Sequence, residues 1–192
     1  MGSHFGAAGA FLVQTIFGIA ILIVMLRFLL QLVKADFYNP ASQLIVRATQ
    51  PILAPMRRII PGVGGIDLSS IVLMLVLQMV ETGLLKAMGA YALFNVSTAG
   101  LLVWAIADLV ELATFVFIFS LIVQVILSWL SPGAYNPMVG LLYSFNEPIL
   151  RPARRVLPST SGLDFSPLIA LIFLNLIQIL VVGILRDLAI SI

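Results

Sequence analysis

The chain has no cysteine, a single histidine and little charge: 9% of its 192 residues are Asp, Glu, Lys or Arg, against about 25% in an ordinary soluble domain. Each shortage removes a class of chemistry. Without cysteine there is no disulfide, thiolate metal site, thioether-linked haem or thiol nucleophile. A lone His4 cannot build a metal centre, so neither metal nor cofactor is expected, haem included. With 10 Lys and Arg against 8 Asp and Glu, a fully wetted surface cannot be covered, and no nucleic-acid partner is expected. What is abundant is apolar: 61% of the residues are hydrophobic. Lipid is the solvent that suits such a composition, which predicts an all-α polytopic membrane protein.

Four segments are apolar enough to span a bilayer. Phe11 to Val33 is interrupted only by Gln14, Arg27 and Gln31, and is read as a retained helix because it is too long for a signal peptide. Leu68 to Met88 carries Gln78 near its middle and Glu81 and Lys86 beyond. The apolar stretch Leu101 to Leu130 contains Asp108 and Glu111. Acidic groups at mid-membrane are costly, so the span is placed at residues 112–130 and residues 101–111 are read as an interfacial or protruding helical turn. The last span is 166–185, with Asn175 and Gln178 inside it and Arg186 and Asp187 at its exit. A fifth span over 91–110 is disfavoured by Asn95, Ser97, Thr98, Gly100 and Asp108.

The chain repeats itself. A shift of 97 residues lays Tyr38-Asn39-Pro40 on Tyr135-Asn136-Pro137 and Pro51-Ile52-Leu53 on Pro148-Ile149-Leu150. In the same register Pro55, Arg57, Arg58, Pro61, Gly65 and Asp67 fall on Pro152, Arg154, Arg155, Pro158, Gly162 and Asp164. This is a tandem duplication of a helix, Pro/Arg amphipathic loop, helix unit. It divides the chain into 1–98 with loop 34–67 and 99–192 with loop 131–165. The loops carry Arg47, Arg57 and Arg58, then Arg151, Arg154 and Arg155, whereas the connecting segment has only Lys86 against Asp108 and Glu111. By the positive-inside rule both loops are cytoplasmic and both termini periplasmic, so the repeats are parallel.

Within each loop apolar residues recur at helical spacing around the arginine pair: Ile52, Leu53, Met56, Ile59 and Ile60, then Ile149, Leu150, Ala153, Val156 and Leu157. Because proline is tolerated only in a helix's first turn, a short helix is predicted from just before Pro55 and Pro152 to near Pro61 and Pro158. It would lie among the headgroups with its guanidinium groups on lipid phosphates. Two readings stay open: arginines that only fix topology, or a surface docking anionic lipid or a membrane protein, including a second copy. Asp67 and Asp164, each just before a span, are read as helix caps. A catalytic pair is the other reading, but no base, metal ligand or nucleophile accompanies them. Tyr38-Asn39-Pro40 and its copy read as turns leaving spans one and three. Gln78 and Asn175 are equivalent mid-span amides, with Glu81 and Gln178 one turn on; they serve either as interhelical glue or as the lining of a polar path.

The doubled pattern Tyr-Asn-Pro, Pro-Ile-Leu, Pro, Arg-Arg, Pro and Gly-x-Asp resembles the YggT family of small bacterial membrane proteins, which includes the YlmG proteins of Gram-positive bacteria and plastids. The resemblance covers nearly the whole chain; it departs where Arg151 replaces Ala54 and Asn146-Glu147 replaces Thr49-Gln50. The two-repeat form resembles the proteobacterial branch, which implies the inner membrane. The family is associated with osmotic or ionic stress tolerance, with division and envelope organisation, and in plastids with maturation of a membrane cytochrome. What this implies is a non-enzymatic assembly or organising factor that uses its paired loops for docking; the alternative is a small oligomeric transporter or channel for ions or osmolytes.

Overall fold

A computed structural model describes residues 2–89, 96–130, 136–156 and 164–192. Tyr135, Leu157, Pro158, Gly162 and Leu163, which belong to the second copy of the repeated pattern, lie outside the described residues, as do residues 91–95 of the disfavoured fifth span. The long elements of the described chain are all helices: α1 (Gly2–Leu32), α2 (Pro40–Ile59), α3 (Leu68–Ala87), α4 (Thr98–Leu130), α5 (Pro137–Val156), α6 (Ser166–Ile177) and α7 (Gly183–Ser191). A π-helical turn, Gln178–Val182, joins α6 to α7. Among the described residues four runs are long and apolar enough to cross a membrane: His4–Leu32, Leu68–Ala87, Thr98–Leu130 and Ser166–Ser191. The protein is therefore a multi-pass membrane protein with an internal repeat.

Helix α1 stops where Lys34 takes a left-handed conformation with φ of 55°, while the Ala35 amide turns back to the Leu30 carbonyl at 2.9 Å. Helices α1, α2 and α3 then pack as one unit, and α4, α5 and α6 as another, with α4 also touching α1 and α3. One apolar core joins Ile21, Met25 and Leu29 of α1 to Leu53 of α2, Met74 of α3 and Val116 of α4. A smaller core holds Leu121, Leu150, Ala170 and Leu174 of the second repeat. Leu53 and Leu150, equivalent by the repeat, are 0% and 1% exposed, so each amphipathic helix is held to its own spans by the same leucine.

The acidic stretch before residue 112 lies within α4, which runs unbroken from Thr98 to Leu130. Its 33 residues give about 50 Å of helix, and the partners that make Asp108 tolerable lie in other helices. One expectation is corrected: α2 and α5 are not short pieces, for each has 20 residues and begins at the proline of Tyr-Asn-Pro. Asn39 and Asn136 accept from the amides of Ala41 and Met138, each at 3.0 Å, and proline suits the first helical position. The motif is a helix start, not merely a turn. Pro51 and Pro55, like Pro148 and Pro152, lie inside these helices. Each removes one backbone donor, and the carbonyls so released are tolerable beside water or headgroups but not in hydrocarbon.

Candidate functional site

The amphipathic helices are pinned to the spans by polar side chains at equivalent positions. In the first repeat Arg27 of α1, 3% exposed, donates to Thr49 Oγ1 at 2.7 Å, to Gln50 Oε1 at 2.8 Å and to the Val46 carbonyl at 3.1 Å. In the second, Asn146 donates to Gln124 Oε1 at 2.8 Å and accepts from Ser120 Oγ at 2.6 Å. Gln124 is the repeat equivalent of Arg27, and Asn146 of Thr49. Neither contact follows from the sequence reading. The available signal is that the repeat register lays polar on polar in two otherwise apolar helices.

The arginine pair divides its labour. Arg57 donates to Asp67 across the Pro-Gly turn, and Arg154 donates to Asp164 at 3.4 Å and to Glu147 at 2.8 Å. Arg151 lies 3.7 Å from Glu147. By contrast Arg47, Arg58 and Arg155 are exposed and form no ion pair among the described residues. In the first repeat the turn between Arg57 and Asp67 closes through two Val63–Ile66 backbone hydrogen bonds, with Gly64 and Gly65 at φ of 61° and 86°. Two successive left-handed residues require glycine.

Asp67 does not cap α3 with its side chain. Its carboxylate accepts from Ser70 Oγ at 2.7 Å and from Arg57. Burial pushes the Asp67 carboxyl up, but the hydrogen bonds from Arg57 and Ser70 outweigh it and leave the group below the usual carboxylate range. Asp164 does accept from a helix amide, Ser166 N at 2.9 Å. Burial again raises it, and the Ser166 hydroxyl and amide together with Arg154 bring it below its ordinary value. Partial burial works against the charge on Arg154, and Glu147 and Asp164 more than reverse that, raising its pKa.

The two repeats meet at these helix starts. Asn39 Nδ2 donates to the Pro137 carbonyl at 2.7 Å, so both Arg-bearing helices lie at one end of the bundle. A groove of about 460 Å³ opens there, lined by Asp36, Tyr38, Asn39, Asn136, Gly140 and Ser144 among others.

The mid-span amides do not face one another. Gln78 donates to Asp108 Oδ2 at 3.2 Å, which sets Asp108 level with the middle of α3. Asn175, exposed on the outer surface, turns back to the Leu171 carbonyl at 2.8 Å. Gln178 donates to Thr114 Oγ1 at 3.0 Å, and Glu81 is buried. Arg186 enters from α7, bonds Asp108 at 3.0 Å and also Glu111, and lies 5.4 Å from the Trp104 ring centre. The convergence of Asp108, Glu111 and Arg186 is a further contact that the sequence reading misses, although an acidic pair within an apolar run calls for a cation at the same depth. Among the described residues no three His, Asp or Glu side chains are placed to share a metal ion.

The CCB3/YggT family model matches the chain twice, over residues 7–88 and 103–185. An uncharacterized protein of Pseudomonas aeruginosa is 49% identical over 176 residues, covering 92% of this chain and 89% of the relative. An uncharacterized protein of Vibrio alginolyticus is 39% identical, covering 86% and 89%. The uncharacterized protein YggT of Escherichia coli is 36% identical over 178 residues, covering 92% and 90%. No solved structure matches the chain.

Proposed function

The chain thus belongs to the CCB3/YggT family, and we propose that it is a non-enzymatic organising factor of the bacterial inner membrane that docks anionic lipid headgroups through the cytoplasmic face of its paired Arg/Pro helices. The reading rests on one observation. In both repeats the first arginine of the pair is held by the aspartate of Gly-x-Asp, whereas Arg58 and Arg155 are exposed with no carboxylate partner among the described residues. Arg57 and Arg154 thereby fix the helix, and Arg47, Arg58 and Arg155 remain to meet an outside anion. Near an anionic leaflet each such cation contributes about 1 kcal/mol. The boundary at residue 98 between the repeats, the cytoplasmic side for the arginines and the periplasmic side for the termini belong to the same reading, supported by the positive-inside rule.

The competing picture of an ion or osmolyte path lined by symmetric amides loses its footing, since Asn175 bonds within its own helix. The test separates the two arginine classes. Replacing Arg47, Arg58 and Arg155 together by Gln should leave the fold intact and deplete anionic lipid from the protein extracted in native lipid discs. Replacing Arg57 and Arg154 should instead lower stability. An unchanged lipid complement in the triple variant sinks the reading; loss of a co-purifying membrane protein with lipid unchanged would reassign the surface to a protein partner.

A further inference from the structure

Glu81 of α3 is 9% exposed, and among the described residues its carboxyl group has neither a hydrogen-bond partner nor an ion pair. Gln78, one turn earlier on the same helix face, donates to Asp108 at 3.2 Å, so the Glu81 side of α3 faces the Asp108 side of α4. Arg186 supplies a single positive charge to Asp108 and Glu111, and its buried Nε has no acceptor among the described residues. Two carboxyl groups thus share the one guanidinium, and the third, Glu81, is left without a counter-charge within the membrane-spanning region. A buried charge left without a partner is among the most costly features a membrane interior can hold.

We propose that the α3–α4 crossing is a membrane-embedded proton-binding site in which Glu81 holds an exchangeable proton at neutral pH. The proton removes the unpartnered charge without any rearrangement. A metal cation would need several oxygen ligands, whereas Gln78 turns its NH2 toward Asp108 and Thr82 Oγ1 donates to the Gln78 carbonyl at 2.8 Å. The second repeat supplies the uncharged counterpart: Gln178 occupies the position equivalent to Glu81 and bonds Thr114 at 3.0 Å.

Among the described residues no other ionisable group takes the place of the proton. On α3 itself Lys86 reaches the Val96 carbonyl at 3.5 Å. On α1, Gly9 lies against Met88, which puts His4 past the end of α3, and Arg27 is engaged by α2. Arg57, from α2, pairs with Asp67 at the opposite end of α3. From α4 only Asp108 and Glu111 face the site, and both are shared with Arg186.

Infrared spectra of the full chain in lipid vesicles test this, because a protonated carboxyl group has a carbonyl stretch distinct from that of a carboxylate. The band expected at neutral pH should disappear in Glu81→Gln, which copies the residue of the second repeat and should therefore fold. The wild-type band should fade on raising the pH, by about tenfold in protonated fraction per pH unit once the proton has begun to leave. Asp108→Asn removes the crowding charge and should move that fading to lower pH. Identical carbonyl regions in the wild type and Glu81→Gln would overturn the proposal. So would loss of the band on adding sodium or potassium at fixed pH, which would make this a cation site, or an unshifted titration in Asp108→Asn.

Discussion

The side-chain amide of Asn39 donates to the backbone carbonyl of Pro137 at 2.7 Å, joining the same motif of two repeats at one end of the bundle. Asn39 also caps its own helix through Ala41 N, so one side chain both starts α2 and fastens it to the start of α5. The two repeats are therefore not independent hairpins.

That junction fixes a topology that can be read chemically, since the chain has no cysteine of its own. Single cysteines placed at Tyr38 and Met138, both exposed, should react with a membrane-impermeant maleimide from the same side of sealed vesicles. The double variant should cross-link through a short bifunctional maleimide. Reaction of one site only before permeabilisation would contradict the junction. Replacing Asn39 by Ala should cost about 0.5–2 kcal/mol for the lost cap, with a further penalty for the severed tether, measured as a lower unfolding midpoint in detergent.

Asp67 and Asp164 occupy equivalent positions but should behave differently. Asp67 is 3% exposed and bridges Arg57 to Ser70; Asp164 is exposed, and its pairing with Arg154 is screened by solvent. Replacing Asp67 by Asn should destabilise the protein by about 1–3 kcal/mol, because the amide oxygen that is left carries no charge to pair with Arg57 and the new NH2 cannot accept; the same change at Asp164 should cost less. A group whose folded pKa is depressed contributes stability that is present above its unfolded value of about 3.9 and is lost as pH falls through the folded value. The wild type should accordingly lose stability on the acid side, and Asp67→Asn should show a shallower loss over that range. Parallel acid profiles for the two proteins would show that Asp67 is not held in its charged form by Arg57.

What the sequence made legible was what repeats or alternates locally. Tyr-Asn-Pro, the arginine pair and Gly-x-Asp lie in one register, and the spans follow from apolar runs. The length of α2 and α5 was not legible, because proline reads as a breaker when its neighbours are unknown, whereas an interfacial helix tolerates the carbonyls that Pro51 and Pro55 release. The setting of Asp108 was hidden for a related reason. The cost of an acid at mid-membrane is a cost for an isolated helix, and it is offset by Arg186, 78 residues away in sequence, and by Gln78 from another span. The split between Arg57 and Arg58 was also hidden. Adjacent residues on a helix point about 100° apart, and only the fold decides which of them turns toward the aspartate.

Helix α7 carries Arg186 to its acidic partners, and its docking on α4 depends on the absence of a side chain at Gly100. A Cβ there would collide with the Ala189 carbonyl oxygen and come within 2.6 Å of Val96. Ala189 is fully buried, and a backbone carbonyl cannot rotate away as a side-chain tip can. Gly100→Ala should therefore separate α7 from α4, cost about 1–3 kcal/mol, and expose the segment after Val182 to protease. Gly83 provides the contrast. It lies in α3, where an added methyl group would meet nothing within 4 Å, so Gly83→Ala should be neutral or stabilising by up to about 1 kcal/mol. Thermal unfolding in one detergent compares the two directly. A fall of similar size in both would mean that Gly83 faces a closely packed neighbour in the membrane, and no change in Gly100→Ala would mean that α7 does not rest on α4 as described.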